Sequence, residues 1–167
     1  MDKQKAALDA SFWINGYQAG LLAFLPEYFD IFVPSDVVSE IEHRSSITGL
    51  LSASGAFFRE WRQANRLTIQ NPQWPVNWFQ PGENAAIALA LEQGYTLLID
   101  DHNPYHMAKA KGLNVVSTAD FAVMLYIHRR ISLIEAQTAI HRLGINRHLM
   151  RTALTILELL GRARGDG

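Results

Sequence analysis

Five acidic residues fall where backbone elements should begin or end: Asp9, Glu40, Glu83, Asp100 and Asp101. Asp9 closes the short apolar run Lys5–Asp9 (KAALD), and Asp100 and Asp101 follow Tyr95–Ile99 (YTLLI) directly. Glu40 lies in the stretch DVVSEIEH after Pro34 and Ser35, and Glu83 opens ENAAIALALE just after Gly82. Carboxylates gathered at one rim repel one another and stay ionised together only when a cation neutralises them. An all-oxygen set suits Mg²⁺ or Mn²⁺, whereas zinc favours His or Cys. Each acid also has an ordinary structural account. Asp9 can cap the helix that follows, Glu83 can complement a helix dipole, Glu40 can be solvated, and Asp100–Asp101 can be turn residues. Spacing alone leaves the function open.

The surrounding pattern says what must position these acids. Short apolar runs at Lys5–Asp9, Asp30–Val33, Arg66–Gln70, Tyr95–Ile99 and Leu113–Val116 read as strands. YTLLI has no polar alternation, as expected of a strand buried on both faces. Helical spacing covers Phe12–Leu25, stopping at Pro26, then the stretch after Ser35, Ser45–Gln63, Glu83–Glu92, Pro104–Lys111 and Thr118–Arg129. Ser132-Leu133-Ile134-Glu135 is a capping box opening a further helix that Gly144 closes. A last helix is expected from about Asn146 to Leu160. Strands alternating with helices imply crossover connections. The expected fold is an α/β/α sandwich around a mostly parallel sheet of about four or five strands, with helices added at the C-terminus. In such sheets ligands bind at the carboxyl ends of strands, where the strand order reverses, and there the acids converge.

The chain has 167 residues, 49% hydrophobic and 19% charged, and no Cys. That length suits one ordinary core. Without Cys, disulfides, iron–sulfur clusters and Cys-based zinc sites are excluded. Apolar runs such as Leu21–Leu25 fall far short of the ~20 residues of a membrane span, and Met1–Leu8 lacks the features of a secretory signal. A cytoplasmic protein without membrane association is expected. The formal charge of −1 conceals an asymmetry: residues 1–127 carry net −5 and residues 128–167 net +4. This rules out a uniformly basic nucleic-acid coat and permits an acidic cleft beside a basic flank.

Leu8-Asp9-Ala10-Ser11, then Val33-Pro34-Ser35-Asp36-Val37-Val38-Ser39-Glu40-Ile41, resembles the opening of a PIN domain. Gly82-Glu83-Asn84-Ala85-Ala86-Ile87-Ala88-Leu89-Ala90 followed by Leu97-Leu98-Ile99-Asp100-Asp101 resembles its second half, and Ala108, Gly112-Leu113 and Val115-Val116 also fit. The resemblance runs over roughly residues 5–143. It divides the chain into a PIN-like domain at 1–145 and a helical extension at 146–167, whose tail Gly161–Gly167 reads as disordered. It implies a ribonuclease dependent on Mg²⁺ or Mn²⁺, with Asp9, Glu40, Glu83 and Asp100 in the family's acidic places and Asp101 sharing or taking the last. Asp9, Asp100, Asp101 and Glu83 are then the expected metal ligands, with Ser11 as the supporting hydroxyl. Bacterial members are commonly toxins restrained by a small antitoxin. Single-stranded RNA, an antitoxin and a second copy in a homodimer are the expected partners.

The sequence departs from that family branch at Tyr105, where an Arg able to meet phosphate usually stands; His102 and His106 nearby could donate instead. Trp74, Trp78 and Phe79 occupy a Pro-rich loop before Glu83. They could stack on unpaired bases or serve packing and protein contact. Arg129, Arg130, Arg142, Arg147 and Arg151 could track phosphates. A catalytically inactive module binding RNA or protein is the alternative reading. A haloacid-type phosphatase is disfavoured, because Asp9-Ala10-Ser11 lacks the Asp-x-Asp pair.

Overall fold

A computed structural model describes residues 3–166. Five strands, β1 (Gln4–Leu8), β2 (Phe29–Val33), β3 (Thr68–Ile69), β4 (Thr96–Leu98) and β5 (Val115–Val116), form one sheet in the order β3-β2-β1-β4-β5. Every pairing is parallel, with Ala7 opposite Phe32, Leu8 opposite Leu98 and Leu97 opposite Val115. The chain builds outward from β1 through β2 to β3, then crosses back to lay β4 on the other side of β1. The crevice for a ligand therefore opens between the carboxyl ends of β1 and β4.

Helices cover both faces, giving the expected α/β/α sandwich. They are α1 (Ala10–Gln18), α2 (Leu25–Tyr28), α3 (Ser35–Ile41), α4 (Ala53–Gln63), α5 (Pro81–Gln93), α6 (His102–Ala110), α7 (Thr118–Ile127), α8 (Leu133–His141) and α9 (Arg147–Arg164). α5 packs on β1 and β4, α1 meets α3, α4 and α7, and α8 and α9 pack on α7 and on each other. The small side chains of α5 explain its depth: Ala85, Ala86, Ile87, Ala88, Leu89 and Ala90 are all buried, so the helix is enclosed around its circumference. Gly94, at φ +68°, ends it in the left-handed conformation that lacks a Cβ penalty. Among the described residues no helix is long and apolar enough to cross a membrane.

Three expected elements differ. The helix expected over Ser45–Gln63 begins only at Ala53. The Ser45 hydroxyl accepts from the N–H groups of Ile47 and Thr48, and Arg44 bridges antiparallel to Leu51, so a hydroxyl-rich turn outcompetes the helix. The helix expected over Phe12–Leu25 breaks at Gly20, at φ +72°, and Pro26 lies in the first turn of α2 rather than ending a helix. The tail expected to be disordered from Gly161 instead continues α9 to Arg164. Arg164 donates to the carbonyls of Tyr126 and Ile127, and the Tyr126 hydroxyl donates to Asp166 at 2.6 Å. Gly161 lets α9 pass the Leu133 side chain, since a Cβ there would lie 2.7 Å from its Cδ2.

Candidate active site

Asp9 leaves β1 and caps α1. Its Oδ2 accepts from the N–H of Ser11 at 2.9 Å and from the Ser11 hydroxyl at 2.5 Å. The Ser11 oxygen in turn accepts from the N–H of Asp100 at 3.0 Å. Ser11 thereby ties the end of β1 to the end of β4. The other Asp9 oxygen, Oδ1, is buried without a hydrogen-bond partner. Burial is the main cause that pushes Asp9 up to about 7; the Ser11 bonds oppose it, and Asp101 and Glu40 add to it.

Asp100 is also buried but fully employed. Oδ1 accepts from the Thr118 N–H at 2.7 Å, and Oδ2 accepts from the Thr118 hydroxyl at 2.5 Å and from Asn15 Nδ2 at 2.7 Å. Burial raises it to about 6 against those three donors, with Asp101 adding to the rise. Asp101 is exposed at the N-cap position of α6.

Glu40 and Glu83 come from the helices over the crevice. Glu42, the C-cap residue of α3, accepts from both Arg59 and Arg62 of α4, which anchors the segment carrying Glu40. Glu40 Oε1 accepts from the Gly82 N–H at 3.1 Å; burial raises its carboxyl, Gly82 opposes this, and Asp36 and Asp101 add to it. Glu83 Oε2 accepts from the Gln80 N–H at 3.1 Å as part of a capping box. Burial raises Glu83 most, and contact with the Asp101 carboxyl, then the charge of Glu40, raise it further. The capping accounts of Asp9 and Glu83 are thus real, and they coexist with convergence. Ser11 ties Asp9 to the backbone of Asp100, the Gly82 N–H ties Glu40 to the start of α5 beside Glu83, and the charge of Asp101 acts on all four.

As the side chains stand, no three acids or histidines among the described residues close into a metal cage. Asp100 is saturated by Thr118 and Asn15, and Glu40 and Glu83 each lean on a backbone N–H. A Mg²⁺ or Mn²⁺ ion nevertheless fits the donors: the set is all oxygen, it is mutually repulsive, and the Asp9 Oδ1 atom is buried without a partner.

The remaining expected residues are dispersed. Tyr105 is buried, and its hydroxyl donates to Asp120 at 2.9 Å, while Asp120 also accepts from the N–H and hydroxyl of Ser117. Burial and Asp120 hold the Tyr105 phenol well above its usual range. This side chain braces the start of α7 rather than meeting substrate. His102 and His106 face each other on α6 at 4.4 Å between ring centroids. Arg129 and Arg130 lie past the C-terminal end of α7, a helix length of about 15 Å from Thr118 and Asp100. Arg130 pairs there with Glu27 at 2.7 Å, so neither Arg belongs to the acidic rim. Trp78 stands in the loop leading to Glu83.

Asn15, Thr118 and Gly82 do work at this site that the sequence reading did not assign. Asn15 had a signal: it is a polar residue four positions after Ser11, on the same helical face. Thr118 had none, because it is brought to Asp100 only by the pairing of β4 with β5.

No curated protein matches the sequence. Among the solved structures similar to the chain are two archaeal ones. One is a PilT N-terminus domain protein from the hyperthermophilic archaeon Sulfolobus solfataricus, 19% identical, covering 70% of this chain and 89% of that one with a TM-score of 0.49. The other is a domain of a functionally unknown protein from Methanocaldococcus jannaschii, 20% identical, covering 68% of this chain and 90% of that one with a TM-score of 0.49. The family model described as DUF3368, PIN domain, matches residues 5–159. The chain belongs to the PIN domain family.

Proposed function

We propose that this PIN domain is an endoribonuclease dependent on Mg²⁺ or Mn²⁺ that hydrolyses phosphodiesters of single-stranded RNA. The observation that supports the reading is that Ser11 joins Asp9 to Asp100 at the crevice between the carboxyl ends of β1 and β4, with Gly82 holding Glu40 at the start of α5 next to Glu83. Asp9, through Oδ1, and Asp101 are the residues that would hold the ion, supported by Glu40 and Glu83. When bound, such an ion stabilises charge on the phosphoryl oxygens and acidifies a water nucleophile. The protein's own part is positioning and proton exchange. Ser11 fixes Asp9 against the backbone of Asp100, so Oδ1 keeps one orientation. Thr118 and Asn15 immobilise Asp100, which sets the start of α6 and hence Asp101. With a value near 7, Asp9 exchanges its proton near neutrality, which suits a site that trades a proton for a cation. No side-chain nucleophile is needed. We further propose, from the family resemblance alone, that the chain is a cytoplasmic toxin paired with a small antitoxin.

The test is cleavage of single-stranded RNA with Mg²⁺ or Mn²⁺, with and without chelator, by the protein and its Asp9→Asn variant. Cleavage that stops with chelator and in the variant supports the reading. Chelator-insensitive cleavage, or full activity of Asp9→Asn, removes it. A second reading, a module that binds RNA or a protein without cutting, is favoured by Tyr105, which spends its polar end on Asp120 instead of presenting a cation. RNA binding without cleavage in any metal would select it.

A further inference from the structure

We infer that the loop Asn71–Gln80 is a rigid stacking platform for unpaired RNA bases, with the strand's phosphates led along α6; this rests on the ribonuclease reading of the adjacent acids. Trp74 is 74% exposed and Trp78 42% exposed, while Trp13 and Trp61 are buried. Two solvent-facing indoles in one short loop give much apolar area to water, and they are not free to fold away. Asn84, the neighbour of Glu83, accepts from the N–H groups of Trp78 and Phe79 at 2.9 and 2.7 Å and donates to the Phe79 carbonyl at 2.7 Å. Glu92 accepts from the N–H groups of Gln73 and Trp74 at 2.8 and 3.3 Å. Asn71 exchanges two hydrogen bonds with Ser35 of α3, and Pro72, Pro75 and Pro81 restrict the backbone further. Rings held this way lose little freedom on binding, which is the economy of a preorganised surface.

Charge distinguishes a nucleic acid from a protein as the occupant. Residues 102–111, α6 and its end, hold two His and two Lys and no acid. His102, His106 and Lys109 recur at helical spacing, so they share one face. Lys111 brings its Nζ within 5.5 Å of the Trp78 ring centroid. An indole next to an ammonium offers a base and its phosphate their two complementary surfaces in one place. The loop then runs straight into the acidic rim, since Gln80 donates to Glu83 and Gly82 to Glu40. A strand stacked on Trp78 is therefore delivered to the acids. Duplex RNA, whose bases are already stacked on one another, gains nothing from the rings.

The experiment measures binding of a short labelled oligoribonucleotide, unpaired or in duplex, by fluorescence anisotropy in chelator so that nothing is cut. Indole fluorescence is followed in parallel. The full chain should prefer the unpaired strand and show quenching. Trp74→Ala and Trp78→Ala should each weaken unpaired binding about tenfold, and Trp78→Phe should restore most of it. Asn84→Ala, which keeps the rings but frees the loop, should weaken binding severalfold, with duplex affinity unchanged throughout. Unmoved affinity for the unpaired strand in both Ala variants, or no binding of it by the parent protein, overturns the platform. So does concentration-dependent self-association that the Ala variants abolish, which would assign the rings to a second copy. Loss of cleavage with ring-dependent binding intact instead counts only against the ribonuclease reading.

Discussion

The N–H of Gly82 donates to Glu40 Oε1 at 3.1 Å, and a methyl group on Gly82 would lie 2.7 Å from both Cδ and Oε2 of that carboxylate. A Cβ here therefore displaces the end of the Glu40 side chain, which is seated against the first turn of α5 where α3 and α5 meet. Gly82→Ala should push Glu40 off the helix terminus. Cleavage should fall at least tenfold with little loss of stability, because the displaced group is the mobile end of an exposed side chain; initial rates and urea unfolding read the two. An alanine variant with parental rates would show that Glu40 is not held for chemistry.

The buried acids set a pH dependence. Asp9 and Asp100 are raised from 3.8 to about 7 and about 6 in the folded chain. The folded state therefore binds protons more tightly than the unfolded one, and stability falls as pH rises from about 4 to about 7. Asp9 alone accounts for a change on the order of 4 kcal/mol. Thermal unfolding in chelator should show Tm decreasing over this window, and Mg²⁺ should raise Tm more at about pH 8 than at about pH 5. A Tm that is flat with pH in chelator would contradict the burial of these charges.

Asp101 separates activity from stability. It is exposed and makes no capping bond to α6, yet its charge acts on the other four acids. Asp101→Asn should relieve that repulsion and leave metal-free stability equal or higher by up to about 1 kcal/mol. Cleavage should drop about 100-fold, as expected when a ligand to the ion is lost. The pair of measurements tests whether Asp101, rather than the saturated Asp100, faces the ion.

Removing either partner of Asp100 should have the opposite balance. Thr118→Val deletes the 2.5 Å hydroxyl donor and Asn15→Ala the 2.7 Å amide donor to the same oxygen. Each leaves a buried carboxylate short of one bond, costing about 1–3 kcal/mol at neutral pH. Chemical denaturation below about pH 5, where Asp100 is protonated, should show a smaller loss for both variants.

Tyr105 is expected to matter for folding alone. Tyr105→Phe removes the hydroxyl that donates to Asp120 and should cost about 1–3 kcal/mol, with cleavage per folded molecule unchanged. A selective loss of cleavage would return this side chain to the substrate.

Much of this arrangement was legible in the sequence because it rests on local physics. Alternating apolar runs and helical spacing identify a parallel sheet between helices, and apolar runs ending in Asp9 and Asp100 mark the carboxyl edge. Local signals also mislead where two of them compete. The hydroxyls of Ser45 and Thr48 unwind what looked like a helix start, and the glycines at 161 and 165 looked like the edge of disorder although α9 continues to Arg164. What depends on neighbours distant in sequence could be read only from tertiary structure. Arg129 and Arg130 share a helix end with no acid of the rim, and the chain direction of α7 decides that. Thr118 reaches Asp100 because β5 pairs beside β4, and Gly82 meets Glu40 because α5 crosses α3. Residue types and periodicity determined which groups could do chemistry and the layers that hold them. Strand order and helix crossings decided which of those groups touch, since a contact between segments forty or eighty residues apart is a property of packing, not of any stretch of chain.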